Sequence, residues 1–427
     1  MINNYFTKKD LNNVSEWSQA QIADFLIWDN INALKSFGLK DIEKRYFRGM
    51  QSAADRYEKY KFILDLKDKF FSFFLNKSKK NKKTILFEDN RYPLITSEVK
   101  KYYNLKFIVS GKKERLFVAK NFYGYLSINN LYRPIYEYWS KNDFNYLKEL
   151  LENLEKKIKD VNPDYIVLYG DDKPVGRAII FVAKKLGIPI INIQSVLLIE
   201  KFPLFFGALT DYIFVWGEYF KKLFISHTQS KRNPEDIYIL GYSAVIKKNR
   251  QKIDRKISTV CYLGENYEFY NDDLLDVKIK TIESLNKICE KLNLKFIYRP
   301  HPGDDKKLLK KKLPNINFTS ENEKLTDTFE KGDIFISFDS STLAEATVYD
   351  KICLQLINYP IKTDNLEKGG ARIKSFETIA ELEKYLQNLI KSQSMVKDFM
   401  SQNNDFFIET LESPGKKFIE LLNKVKK

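Results

Sequence analysis

Histidine and cysteine are scarce in these 427 residues, two of the first and three of the second. Cys261 and Cys353 stand in apolar runs and Cys289 in a helical pattern, each alone, so core packing is their expected role. No spacing suits a metal cluster, and no metal is expected. Glycine and proline, at 16 and 12, are too few for a fibrous or disordered chain. No uninterrupted apolar run approaches the roughly 18–20 residues of a membrane span, and the opening MINNYFTKKDLNNVSEW has no signal-peptide apolar core. The expectation is a cytoplasmic protein, with peripheral contact at the inner face of the membrane compatible with it. A repeat at a solenoid period is also absent.

Positive charge and aromatic rings are plentiful. Hydrophobic residues make up 44%, charged residues 30% and aromatic residues 15% of the chain, values of a soluble globular protein rich in rings. A formal charge of +16 draws nucleic acid, anionic membrane surfaces or phosphorylated small molecules alike, and lysine among Asn, Ile and Phe also fits a compositional habit of the source genome. No nucleic-acid-binding module is recognisable, so nucleic acid is not an expected partner. The stretch KDKFFSFFLNKSKKNKK, residues 67–83, reads either as a membrane-surface segment or as core phenylalanines followed by a solvated lysine loop.

Apolar spacing is helical over Ser15 to Gly38 and again from Lys61 to Lys77, which makes residues 1–83 a helical region. From TILFED at Thr84 onward, strand and helix signals alternate: KFIVS, the long helical pattern at Asn142 to Val161, DYIVLYG, GRAIIFVAKKLG, PIINIQ, YIFVWG and DIYILG. A basic stretch without periodicity, Tyr242 to Ser258, marks a junction near residue 250. TVCYLG, a helix at Leu274 to Asn293, KFIYRP, INFTS, DIFISF, STLAEATVYD and ICLQLI then form a second series, closed by C-terminal helices. The fold class expected is α/β, with two Rossmann-like doubly wound domains, 84–250 and 251–427, facing a central cleft behind the N-terminal helical region.

Three polar segments follow predicted strands, where ligands bind in open α/β sheets. In YGDDKPVGRA a strand ends in Asp171 and Asp172 and a helix starts near Gly176, so the pair is either a general base for an acceptor hydroxyl or a helix cap. In YRPHPGD, His301 stands between Pro300 and Pro302, which restrict the backbone around it, and Arg299 offers a planar fork for phosphate oxygens. A satisfied turn histidine is the structural alternative. In DIFISFDSSTLAEA, Ser340, Ser341 and Thr342 follow Asp339 at the start of a helix, where capping and phosphate binding are compatible. Gly264, Glu265 and Asn266, after the first strand of the second series, are in position to touch a nucleotide or form an ordinary loop. His227 lies in a polar loop and is read as merely exposed.

His-Pro after one strand and Ser-Ser after the next but one, in a second Rossmann-like domain, resemble the GT-B glycosyltransferases of bacterial capsule and lipopolysaccharide synthesis. The group in view is the sialyltransferases and polysialyltransferases that use CMP-activated sugars, with the Kdo transferases nearby. The resemblance spans about residues 84–400. It implies an acceptor domain followed by a donor domain, with Asp171 or Asp172 as base and His301, Ser340 and Ser341 on the nucleotide phosphate. It further implies inverting, metal-independent transfer of an acidic sugar such as sialic acid or Kdo to a surface polysaccharide or lipooligosaccharide. No cofactor is expected; the partners are a nucleotide-sugar donor and an oligosaccharide or lipid-linked acceptor. Where the family shows acidic-acidic-Gly, this chain has Asp171-Asp172-Lys173. CDP-glycerol-type polyol phosphotransferases share the His-Pro and Ser-Ser features and give an alternative, as does a basic protein that binds membrane surfaces or nucleic acid.

Overall fold

The structure, a computed structural model, describes residues 9–28, 47–48, 50–62, 81–109, 117–118, 124–128, 131–171, 173–197, 207, 209–226, 232–245, 257–265, 274–338, 340–357, 363 and 365–425. The chain divides into two compact units. Met1–Trp216, Phe220–Ile246 and Leu411–Lys427 form the first, and Gly217–Tyr219 with Lys247–Thr410 the second.

Among the described residues, seven parallel strands make the sheet of the first unit: β1 (Thr84–Phe87), β2 (Asn104–Val109), β3 (Gly124–Ser127), β4 (Tyr165–Leu168), β5 (Ile190–Ile193), β6 (Tyr212–Val215) and β7 (Ile237–Ile239). Their order is β3-β2-β1-β4-β5-β6-β7. The first three strands run outward from β1 and the rest run outward on its other side, so the order reverses between β1 and β4. Strands β1, β4 and β5 are buried along their whole length, which is why they read as continuous apolar runs rather than alternating ones. The helix Asn145–Val161 sets Leu147, Leu150, Leu154, Ile158 and Val161 on one buried stripe. Asn162, left-handed at φ 46°, ends it.

Among the described residues, the second unit has five parallel strands: β8 (Thr259–Leu263), β9 (Lys295–Arg299), β10 (Ile334–Ser337), β11 (Ile352–Leu356) and β12 (Lys374–Phe376). Their order β12-β11-β10-β8-β9 places its reversal between β8 and β10.

An aspartate just before a strand closes the N-terminal edge of each sheet. Asp164, ahead of β4, accepts the Thr84 N–H of β1 at 2.9 Å, and Asp211, ahead of β6, accepts the Ile190 N–H of β5 at 2.9 Å. In the second unit Asp333, ahead of β10, accepts the N–H groups of Ser258 and Thr259 at 2.9 and 3.0 Å. Each carboxylate satisfies a backbone donor that the ladder leaves open. The sequence signature is Asp followed by an apolar run.

Several expectations are corrected. INFTS is not a strand but a single bridge from Phe318 to Tyr298, because the segment holds only one register against β9. The helical reading of Ser15 to Gly38 shortens to a helix at Gln19–Ala23 followed by a wider turn at Asp24–Trp28, with the remainder outside the described residues. The junction at 246–256 and most of the lysine run at 76–80 are also outside them. Residues 1–83 do not separate as a compact unit, and Leu411–Lys427 groups with the first unit rather than with 251–427. The cause is aromatic packing: Phe418, on the helix Pro414–Leu422, lies 6.0 Å from the Phe87 ring and 5.7 Å from the Phe214 ring. All three cysteines are free and buried, and burial pushes the thiols of Cys261, Cys289 and Cys353 up to about 12, so they stay protonated core residues. Among the described residues, no helix is long and apolar enough to cross a membrane.

Candidate functional site

At the C-terminal edge of the second sheet, β8, β9 and β10 end side by side. Gly264 donates its N–H to the Arg299 carbonyl at 2.8 Å, and the Tyr298 hydroxyl and Arg299 carbonyl occupy the space a Cβ at position 264 would need. Glycine is required there by close approach. Glu265 is buried, and its Oε1 accepts the Phe338 N–H at 3.0 Å and a short bond from the Ser337 hydroxyl. Through Oε1 it ties the end of β8 to the end of β10 across the strand-order reversal, so this oxygen serves the scaffold. Asn266 and Asp339 lie outside the described residues.

His301 is exposed, one residue beyond Pro300 at the end of β9. Its backbone N–H donates to Asp304 Oδ2 at 2.8 Å, and its ring Nδ1 accepts the Gly303 N–H at 3.0 Å. With Nδ1 accepting, the neutral ring carries its proton on Nε2. Asp304 holds this loop from below: its carboxylate also accepts from Lys278 Nζ at 2.6 Å and from the Tyr298 hydroxyl at 3.1 Å. The side chains of Lys278 and Asp304 are 1% and 0% exposed, so the pair is a buried ion pair with its lone pairs satisfied. Sequence reasoning passed over both. The signal available was Asp three residues after the histidine in HPGD.

Arg299 does not present the open fork expected of it. Its guanidinium donates to the Thr328 hydroxyl and, at 3.2 Å, to the Glu323 carbonyl. Ser340 caps the helix Ser341–Val348 by accepting the Thr342 N–H at 3.2 Å. Ser340, Ser341 and Thr342 are all half-buried, so the helix N-terminus combines hydroxyls, peptide N–H groups and a positive dipole end at an accessible position.

The first sheet has a matching edge. Asp171, two residues past Tyr169, is fully buried and accepts the N–H groups of Gly207 and Leu209, each at 2.9 Å. That is neither of the roles weighed from the sequence: the helix Pro174–Lys185 begins without a side-chain cap, and both carboxylate oxygens of Asp171 are engaged. Asp172 lies outside the described residues. Gln194, at the end of β5, accepts the Trp216 N–H at 2.9 Å on its side chain and the Trp216 Nε1–H at 2.8 Å and Tyr92 hydroxyl at 2.7 Å on its carbonyl. These bonds lace the edge together.

Glu88, the residue after β1, was missed from the sequence, although an acid directly after a central strand is itself a legible signal. It is half-buried, and Oε2 accepts the Tyr169 N–H at 2.6 Å. Burial raises its carboxyl above the ordinary value, helped by the charge of Asp89, against the Tyr169 N–H and the positive charges of Arg91 and Lys173. The Arg91 guanidinium lies 5.0 Å from the Tyr169 ring centre, and burial raises the Tyr169 phenol well above its usual range.

No protein-family model matches this sequence, and no curated protein matches it. Solved structures do. S. aureus MnaA with UDP is 14% identical, with a TM-score of 0.54 over 81% of this chain and 98% of that one. UDP-GlcNAc 2-epimerase from Methanocaldococcus jannaschii with UDP-GlcNAc and UDP is 14% identical, with a TM-score of 0.53 over 80% and 99%. A glycosyltransferase from Rickettsia africae is 11% identical, with a TM-score of 0.52 over 81% and 98%. At such identities the likeness speaks of fold, and the fold is that of the GT-B glycosyltransferases and UDP-GlcNAc 2-epimerases, two Rossmann-like α/β domains built on parallel sheets.

Proposed function

We propose that this chain is a glycosyltransferase that takes its sugar from a nucleotide-activated donor bound at the C-terminal edge of the second sheet. The observation that carries the reading is His301, exposed on a loop whose backbone and ring nitrogen are both fixed by hydrogen bonds. When the bond between the anomeric carbon and the nucleotide breaks, negative charge grows on the departing phosphate. A positioned Nε2–H and the N-terminus of the helix Ser341–Val348 supply donors for that charge. Arg299, held by Thr328 and Glu323, contributes to loop geometry in this reading rather than to phosphate contact.

The donor we favour is a CMP-linked acidic sugar, transferred with inversion and without a metal to a surface polysaccharide or lipooligosaccharide. Its support is the His-Pro and Ser-Ser spacing together with the basic charge, which suits an anionic acceptor. A UDP-sugar donor is the second reading, favoured because S. aureus MnaA and the Methanocaldococcus enzyme were both solved with UDP.

A thermal-shift panel with CMP, CDP, UDP, GDP and ADP tests this, since a ligand of the native state raises apparent stability by mass action. A response to CMP that weakens about tenfold in His301→Ala, the value of one good hydrogen bond, supports the favoured reading. Selectivity for UDP moves the assignment to a UDP-sugar enzyme, and selectivity for CDP to polyol-phosphate transfer. A flat panel sinks the transferase reading.

A further inference from the structure

We infer that Glu88 is the carboxylate that takes the proton from the acceptor hydroxyl, in place of Asp171, one of the two acids after β4 considered from the sequence. The inference rests on the transferase reading but is carried by the first unit alone. Glu88 stands one residue beyond β1, beside β4, where the strand order of the seven-stranded sheet reverses. Ligands of open α/β sheets bind at that reversal.

Its geometry is that of an anchored base. The Glu88 N–H donates to the Val167 carbonyl at 2.8 Å, which extends the β1–β4 ladder by one residue and fixes the backbone. One carboxylate oxygen, Oε2, is held by the Tyr169 N–H at 2.6 Å, while Oε1 takes no hydrogen bond among the described residues. Asp171 has the opposite character, with both oxygens spent on Gly207 and Leu209 and no exposure.

The charged and titratable groups facing Glu88 are Asp89 and Arg91 on its own loop, Lys173 ahead of the helix Pro174–Lys185, and the Tyr169 phenol at the end of β4. Burial and Asp89 raise the carboxyl, which makes its anion a stronger base than a free glutamate. In the step assigned to it, the acceptor oxygen bonds to the anomeric carbon and the carbon–oxygen bond to the nucleotide breaks. That electron pair leaves on the phosphate, and the hydroxyl proton passes to Glu88 Oε1.

The test uses the full chain with Glu88→Gln, Glu88→Asp and Asp171→Asn. Nucleotide release is followed from the nucleotide sugar whose nucleotide the wild-type protein binds. Glu88→Gln should keep nucleotide affinity within about twofold yet lose about 10²–10⁴ in turnover, together with the acidic limb of the pH–rate profile; Glu88→Asp should recover part of it. Turnover within threefold of wild type in folded Glu88→Gln, with the acidic limb intact, overturns the inference. So does an Asp171→Asn protein that is folded, binds nucleotide and is inert. Failure of the transferase reading shows itself separately, as no nucleotide response in the wild type. Carboxyl carbon NMR then decides alone, because a Glu88 that titrates at or below the ordinary glutamate value overturns the inference whatever the substrate.

Discussion

The C-terminal edges of the two sheets solve one problem with different residues. Each carries buried carboxylates that hold the scaffold, Asp171 in the first unit and Glu265 and Asp304 in the second. Each also carries a titratable group that solvent reaches, Glu88 in the first and His301 in the second, whose backbone and one side-chain atom are pinned. The lesson is that polarity at a strand end does not mark chemistry by itself. What separates a candidate working group from a staple is whether solvent, and with it a ligand, reaches the side chain.

The comparison breaks most readily at the buried pair under His301. Removing one partner of such a pair leaves an uncompensated charge and costs about 3–5 kcal/mol, so Lys278→Met should unfold at markedly lower urea, while Lys278→Met with Asp304→Leu should recover much of the loss. A single variant within 1 kcal/mol of wild type would mean that Asp304 is no clamp. The corresponding change in the first unit is Asp171→Ala, which strands the Gly207 and Leu209 N–H groups and should cost about 3 kcal/mol with the nucleotide response unchanged. Loss of nucleotide response without loss of stability would reverse the role assigned here.

Gly264→Ala sharpens the contrast between crowding and openness. The added methyl meets the Tyr298 hydroxyl and the Arg299 carbonyl, and overpacking of this kind costs about 1–3 kcal/mol. Because Tyr298 also donates to Asp304 at 3.1 Å, the same variant should disturb the His301 loop, visible as a shifted imidazole signal. That signal is easily assigned with only two histidines in the chain. An unmoved signal and unchanged stability would show that Tyr298 yields without consequence.

Much of this architecture is legible in the sequence. Continuous apolar runs such as YIVL and IFIS announce strands buried on both faces, and their alternation with helical patterns announces parallel sheets. The weak strands escape: β3 reads GYLS and β12 reads KSF, too short and mixed to stand out, and they exist because a neighbouring strand pairs with them. Site residues divide along the same line. His301 and Ser340 are visible because proline and helix-start chemistry are local. The duties of Asp171, Arg299 and Asp304 are invisible, because their partners Gly207, Thr328 and Lys278 lie 36, 29 and 26 positions away. Glu88 is the middle case, since its position after a central strand is local but its half-burial depends on β4.

The smallest effect expected is also the most specific to Glu88. A carboxyl raised above its ordinary value near 4.5 by folding holds its proton longer in the native state than in the unfolded chain. Between that value and the folded one, the native state binds more protons, so stability contributed by this group falls as pH rises through the window and stays lower above it. Glu88→Gln carries no such titration. Relative to wild type it should therefore be no more stable at pH 4, gain through the window and hold the gain at pH 7, provided the Tyr169 N–H keeps its partner in the amide oxygen. Urea unfolding of both proteins across that range reads the difference. A gap that shrinks with rising pH would mean that pairing with Arg91 and Lys173 outweighs burial, and Glu88 would then resemble the stapled acids rather than the accessible histidine of the other sheet.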